Sequence, residues 1–283
     1  LLSADEKEKA AVIERLWPDF IVAQAEFLEG GLSNRCMKLT SEDGRQFVWR
    51  PEAASVKAFG LSRDSEFEAL RVAAKAGLAA QPVKRYPEGL LNPWIEGDTM
   101  TEASLSVAAS LQAKIHELPP LSNVFDPFDK GLVYFDSLSE ASKTDSLNAV
   151  HGHFQNHRFT SGFPLTTCHY DLGYYNLISQ KGGKIKVIDW EYAALGDPTM
   201  DLVMTSLANG LDLETLVNRY CQIRRINSVA DWQDACRTWQ PVAGYLGALW
   251  YALGYELFGE EIYQERSTFF LKQLEPLIEK KLS

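Results

Sequence analysis

The chain is short of the residues that staple a fold or brace it with metal. Its four cysteines, Cys36, Cys168, Cys221 and Cys236, form no C-x-x-C pair and no metal-ligand spacing. That argues against a disulfide framework or a zinc finger and makes a reducing cytoplasm the expected compartment. His153 and His157 would share a helical face, but two imidazoles with no companion cysteine do not close a tetrahedral zinc site. No apolar run approaches the roughly 20 residues of a membrane span. The opening LLSADEKEKAAV has neither the basic nor the apolar region of a secretion signal. Its first residue is Leu rather than Met, so a few native residues are expected to be missing. Basic charge is also scarce: 28 Lys and Arg face 38 Asp and Glu, a net charge of −10. This argues against a nucleic-acid binder, whose affinity rests on a basic face, and it is compatible with a cationic small substrate.

What is present is an ordinary globular composition, 46% hydrophobic and 23% charged, over 283 residues. That length is enough for two lobes with separate cores. Residues 5–16 have helical periodicity. Strands are expected over 20–27, up to Leu39, and over 46–50, with Gly30-Gly31-Leu32-Ser33-Asn34 joining the first two and Asp43-Gly44 signalling a hairpin. A helix over 61–76 ends at Gly77, a good C-terminal cap. Strands over 83–86 and 90–95 complete a five-stranded antiparallel sheet, and Trp94-Ile95-Glu96-Gly97 reads as a crossover. From Glu102 the pattern turns helical, with a loop expected over 121–131 and a long helix over Val229–Phe258. The expected fold class is therefore α+β, divided into a lobe over 1–96 and a mainly helical lobe over 97–283.

The densest chemistry lies between His169 and Asp201. Asp171, Asn176, Asp189, Glu191 and Asp197 crowd around a short apolar strand over 184–188. Charges beside an apolar strand are costly to bury unless they meet a metal, a proton or a cationic partner. His169-x-Asp171-Leu172-x-x-x-Asn176 matches the catalytic-loop pattern of phosphoryl-transferring kinases. Phosphoryl transfer needs a group that takes or orients the acceptor's proton, magnesium held by hard oxygens, and cations along the phosphates. Asp171 suits the first task, and the Asn176 amide oxygen and Asp189 carboxylate suit the second. His169, Asp197 and Asp201 read as scaffold. Glu191 stays open between a magnesium or substrate contact and a cap.

Ile188-Asp189-Trp190-Glu191-Tyr192-Ala193 and Gly196-Asp197-Pro198-x-x-Asp201-Leu202 follow that loop. With it they resemble the aminoglycoside phosphotransferase and choline/thiamine kinase superfamily, most nearly its bacterial choline or thiamine kinases. Gly30-Gly31-Leu32-Ser33-Asn34, Arg50, Arg63-x-x-Glu66 and Trp94-Ile95-Glu96-Gly97 occur in the order such proteins show, so the resemblance covers about residues 20 to 260. It implies a bilobal protein-kinase-like fold that uses ATP and Mg²⁺ to phosphorylate the hydroxyl of a small molecule. Gly30, Gly31, Ser33 and Asn34 would lie over the nucleotide phosphates, though two glycines also suit a plain turn. Arg50 would pair with phosphate and with Glu66, or Glu68, where the plain alternative is a surface salt bridge of little worth. Trp94, Ile95 and Glu96 would meet adenine through the backbone, or simply link two lobes. The loop departs from the family pattern at Gly173-Tyr174-Tyr175, and Arg50 stands where Lys is commoner.

Aromatic residues in the last helices suggest a pocket for a quaternary or aromatic cation. Trp250, Tyr174 and Glu191 are the substrate candidates, and Glu256 is a further charge near them. A choline- or thiamine-like alcohol is the expected acceptor. An aminoglycoside or sugar kinase is the alternative, and a nucleotide-binding module without catalysis is the third reading. No nucleic-acid or membrane partner is expected.

Overall fold

The computed structural model describes residues 3–17, 19–28 and 35–279. The expected phosphate-covering residues Gly30, Gly31, Ser33 and Asn34 lie outside them.

Helix α1 (Ala4–Leu16) opens with a capping box between Ser3 and Glu6. It lays Val12 and Leu16 on one face of the sheet. Strands β1 (Val22–Phe27), β2 (Met37–Ser41), β3 (Gln46–Pro51), β4 (Lys84–Tyr86) and β5 (Gly89–Pro93) form that sheet, antiparallel, in the order β1-β2-β3-β5-β4. Successive strand residues face opposite sides. Phe47 and Trp49 enter the apolar cluster under α1, so Arg50 projects to the other face. Helix α3 (Arg63–Lys75) packs near that face and buries Glu66. Helix α2 (Ala54–Ala58), a five-residue element with no side-chain cap, was not expected; it is too short to show periodicity.

A second apolar cluster joins Leu70, Ala73 and Leu90 to Leu111, Ile115, Leu177, Val187 and Trp190. It runs across the expected boundary at residue 96, so the sheet and the helical part share packed side chains. The crossover reaches strand β6 (Asp98–Thr99), which joins β8 (Leu177–Ser179) and β9 (Ile185–Val187) in a small sheet. Gly97 has φ of +145°, and a Cβ there would lie 2.4 Å from the Ser179 carbonyl oxygen. Glycine is what lets the two backbones approach.

The helical part consists of α4 (Leu105–Ile115), α5 (Pro127–Ser137), α6 (Asp145–Asn156), α7 (Pro198–Asn209), α8 (Leu213–Arg224), α9 (Val229–Phe258) and α10 (Glu261–Glu279). Its aromatic-rich core includes Trp232, Trp239 and Tyr245. The expected loop over 121–131 is shorter than read. Asp126 caps α5 by accepting from Phe128 and Asp129, and Pro127 begins the helix. Two three-residue strands, β7 (Thr166–Cys168) and β10 (Ala194–Gly196), pair antiparallel and hold the ends of the chemically dense stretch together. The α+β class, with a five-stranded sheet and a mainly helical remainder, is as expected. Among the described residues no helix is long and apolar enough to cross a membrane.

Candidate active site

Asp201 of α7 organises the loop that follows β7. It is fully buried, and its two carboxylate oxygens accept the backbone N–H groups of His169 (3.0 Å) and Tyr170 (2.7 Å). Gln112 and His116 of α4 complete its shell. Burial alone would raise its pKa, but the bond and charge of His116 and the loop N–H groups outweigh that and hold it below the ordinary value. These bonds restrain Tyr170, whose φ of +62° is a left-handed conformation costing about 1–3 kcal/mol in a non-glycine residue.

Burial pushes the His169 imidazole down to about 4, so it is neutral near pH 7. Its Nδ1 accepts from the Asp171 N–H (3.2 Å), which leaves Nε2 to donate to the Ile188 carbonyl (3.2 Å). His169 therefore ties the loop to the end of β9, and Asp197 caps α7 through the N–H groups of Thr199 and Met200. These are the scaffold positions named from the sequence.

Asp171 emerges from the loop with both oxygens engaged. Asn176 Nδ2 donates to Oδ2 (2.9 Å) and to the Asp171 carbonyl (2.9 Å), while the Tyr175 hydroxyl donates to Oδ1 (2.6 Å). Burial raises the Asp171 carboxyl to about 7; the Tyr175 and Asn176 bonds oppose the rise, and the negative charges of Asp189 and Glu191 reinforce it. The turn over Tyr174–Asn176 is pinned from α7. Asn209 accepts from the Tyr174 N–H (2.9 Å) and donates to the Leu172 carbonyl (2.7 Å).

Asp189 follows β9 at φ +60°, ψ +59°, another strained non-glycine position. It faces Arg50, whose Nη2 donates to Asp189 Oδ1 (2.6 Å) and Glu191 Oε2 (2.9 Å). Arg50 Nε also lies 2.7 Å from Glu66 Oε1. Of the two acids weighed for Arg50, Glu66 is the one that reaches it; Glu68 instead accepts from Ser122. Arg63 pairs with both Glu66 and Glu191. Glu191 is thus buried between two guanidiniums, on the arginine side of the site. Among the described residues, the carboxyls of Asp171, Asp189, Glu66 and Glu191 outnumber the paired cations Arg50 and Arg63 together with the nearby ammonium of Lys130.

The aromatic candidates divide. Trp250 Nε1 donates to the Tyr192 hydroxyl (2.7 Å), and its ring stacks on Phe59 with centroids 5.3 Å apart. The Lys130 ammonium lies 5.4 and 5.7 Å from the ring centroids of Tyr134 and Tyr192. It donates to the carbonyls of Phe59 (2.7 Å) and Gly60 (2.9 Å), and burial lowers its pKa to about 8 against the pull of Glu191. This part of the aromatic cluster already holds an internal cation. The Tyr174 ring packs on the second apolar cluster, while Tyr175 reaches Asp171. Glu256, read as a possible charge in the pocket, is instead engaged by the N–H and hydroxyl of Ser139. On the crossover, Trp94 donates its N–H to the Gln46 carbonyl (2.9 Å), the Lys38 ammonium sits 4.1 Å from the Trp94 ring centroid, and Gln180 donates to the Glu96 carbonyl (3.1 Å). Ile95 between them is half-buried.

Sequence reasoning missed Lys130 and Asn209, and used Arg63 only as part of a motif. Lys130 and Asn209 act through partners more than 30 residues away, and nothing in their local sequence marks them.

Residues 24–245 match the phosphotransferase enzyme family. The LicA protein of Haemophilus influenzae is 29% identical over 213 residues, which is 68% of this chain and 61% of that protein. The chain thus spans about three fifths of that relative's length. Thiamine kinase of Shigella boydii serotype 4 is 31% identical over 97 residues, 34% of this chain and 35% of the enzyme. The solved choline kinase LicA of Streptococcus pneumoniae superposes with a TM-score of 0.74 over 95% of this chain and 99% of that one, at 19% identity, a likeness of fold.

Proposed function

Because the chain belongs to the phosphotransferase enzyme family and is similar to a thiamine kinase in sequence and to a choline kinase in fold, we propose that it transfers the γ-phosphoryl group of ATP to the hydroxyl of a small cationic alcohol of the choline or thiamine type. The observation that carries this reading is the meeting of two sets of groups at one place. Asp171 and Asn176 come from the loop after β7, and Asp189 comes from the end of β9, against Arg50 of β3 and its partner Glu66 of α3.

Asp171 accepts the proton of the acceptor hydroxyl as its oxygen attacks the γ-phosphorus and ADP leaves. Its raised pKa suits a group that must gain a proton during the reaction and lose it afterwards. Arg50, placed by Glu66, stabilises charge on the phosphate oxygens. Residues 1–96 are assigned the nucleotide side, where the backbone of Trp94, Ile95 and Glu96 would meet adenine and Gly30, Gly31, Ser33 and Asn34 would bind the phosphates. Residues 97–283 carry the catalytic and acceptor side.

The donor set fits a divalent cation. Asp189 and Asn176 offer hard oxygen ligands, and the site's carboxyls exceed its cations. Bound there, Mg²⁺ would offset phosphate charge. The same acid excess, with the Tyr175 phenol on Asp171 and Tyr251 near Tyr175, favours a cationic acceptor. A cytoplasmic setting accords with four free cysteines.

The test is ADP release with ATP and Mg²⁺ against choline, ethanolamine, thiamine, an aminoglycoside and a sugar. Turnover with a monocationic alcohol is expected. Turnover with only the aminoglycoside or the sugar would replace the acceptor class, and ATP binding without any turnover would replace the enzyme reading by a nucleotide-binding module.

A further inference from the structure

The carboxylate read as the base already holds a hydroxyl, and it belongs to the chain itself. Tyr175 donates to Asp171 Oδ1 at 2.6 Å, while Asn176 occupies Oδ2. An acceptor alcohol offers the same functional group and needs the same kind of partner oxygen. The phenol suits the part of a resident donor, with its O–H aimed at a carboxylate oxygen.

The loop is shaped around this contact. The Tyr175 ring folds back over Gly173, where a Cβ would come within 2.3 Å of ring carbons. Glycine is therefore required at 173 for the phenol to reach Asp171. The neighbouring Tyr174 is fixed by Asn209, but the Tyr175 side is open, with 43% of the residue exposed. The ring can swing out without dismantling an apolar cluster. Gly173 and Tyr175, the departure from the family loop, thus form one device.

We propose that Tyr175 is an internal placeholder for the acceptor hydroxyl: it seals Asp171 from water until an alcohol displaces it. The proposal rests on the reading of Asp171 as the base. Two consequences follow. With ATP bound and no alcohol present, the phenol keeps water from donating to Oδ1, so futile hydrolysis is suppressed. An alcohol binds only to the fraction of molecules in which the ring has moved, so its apparent affinity is reduced by that fraction.

Tyr175→Phe keeps the ring and removes the donor. In the full chain with ATP and Mg²⁺ alone, ADP release is expected to rise about tenfold, the scale of losing one hydrogen bond to a charged group. With choline, or the alcohol the panel selects, the apparent KM is expected to fall by a similar factor. Gly173→Ala, which displaces the ring with its hydroxyl intact, should raise alcohol-free ADP release as well. Unchanged alcohol-free ADP release in a folded Tyr175→Phe protein overturns the proposal. So does phosphotyrosine at 175 after incubation with ATP, because the phenol is then an acceptor and not a placeholder. Asp171→Asn separates the two levels. If it abolishes alcohol phosphorylation while the Tyr175 results fail, the placeholder alone falls; if it still turns over, the base assignment falls with it.

Discussion

The two halves of the site neutralise their carboxylates in opposite ways. On the arginine side, Glu66, Asp189 and Glu191 all meet guanidiniums at 3.0 Å or less. On the loop side, Asp171 meets only neutral donors among the described residues, a phenol and an amide. The difference separates fixed charge from movable charge. Guanidiniums stay protonated at any ordinary pH, so the arginine side is a permanent electrostatic frame. Among the described residues Asp171 has no such partner, and it is lifted to about 7 by burial and by the frame's own acids, which leaves it able to exchange a proton.

Breaking the loop side should have the largest effect. Asp171→Asn is expected to lower kcat by about 10²–10⁴-fold, the usual contribution of a general base, as read by ADP release with the preferred alcohol. Breaking the arginine side should show in stability. Arg50→Ala removes one of the guanidiniums that face the buried Glu66 and Glu191, and breaking a buried ion pair by removing one partner costs about 3–5 kcal/mol, measurable by denaturant unfolding. Loss of less than 1 kcal/mol would mean that the frame is solvated and replaceable.

A milder test titrates the scaffold under the loop. The folded pKa of His169 is about 4, below its ordinary value. Between those values the unfolded chain binds more protons, so acidification from about 6.5 to about 4 removes stability, by about 1.4 kcal/mol per pH unit from this group. The pH dependence of unfolding in that window should be shallower in His169→Asn than in the parent. An equal slope would show that His169 is not the group responsible.

Much of this arrangement is legible in the chain because its parts are local. Asp171, Asn176 and Asp189 fall within one short stretch, and the residue types of a catalytic loop announce themselves. The helix over Val229–Phe258 was legible despite Pro241 because its apolar pattern runs on past the proline. The illegible parts are long-range or short. Arg50 and Glu191 stand 141 positions apart, and no local pattern says which acid an arginine will meet. Strands β7 and β10 have three residues each, too few for alternation to register, yet their pairing brings the loop to Asp201. Lys130 reads as a surface lysine on α5. Only the fold puts it over Tyr134 and Tyr192, beside the substrate candidate Trp250 that bonds Tyr192.

The division between a fixed frame and a proton-exchanging loop can be tested in one protein. Titration calorimetry of ATP with Mg²⁺ into Asp171→Asn should give a dissociation constant close to that of the parent, although turnover is lost, because the arginine frame is intact. Nucleotide affinity that falls along with turnover would show that Asp171 belongs to the nucleotide side, and would contradict the division.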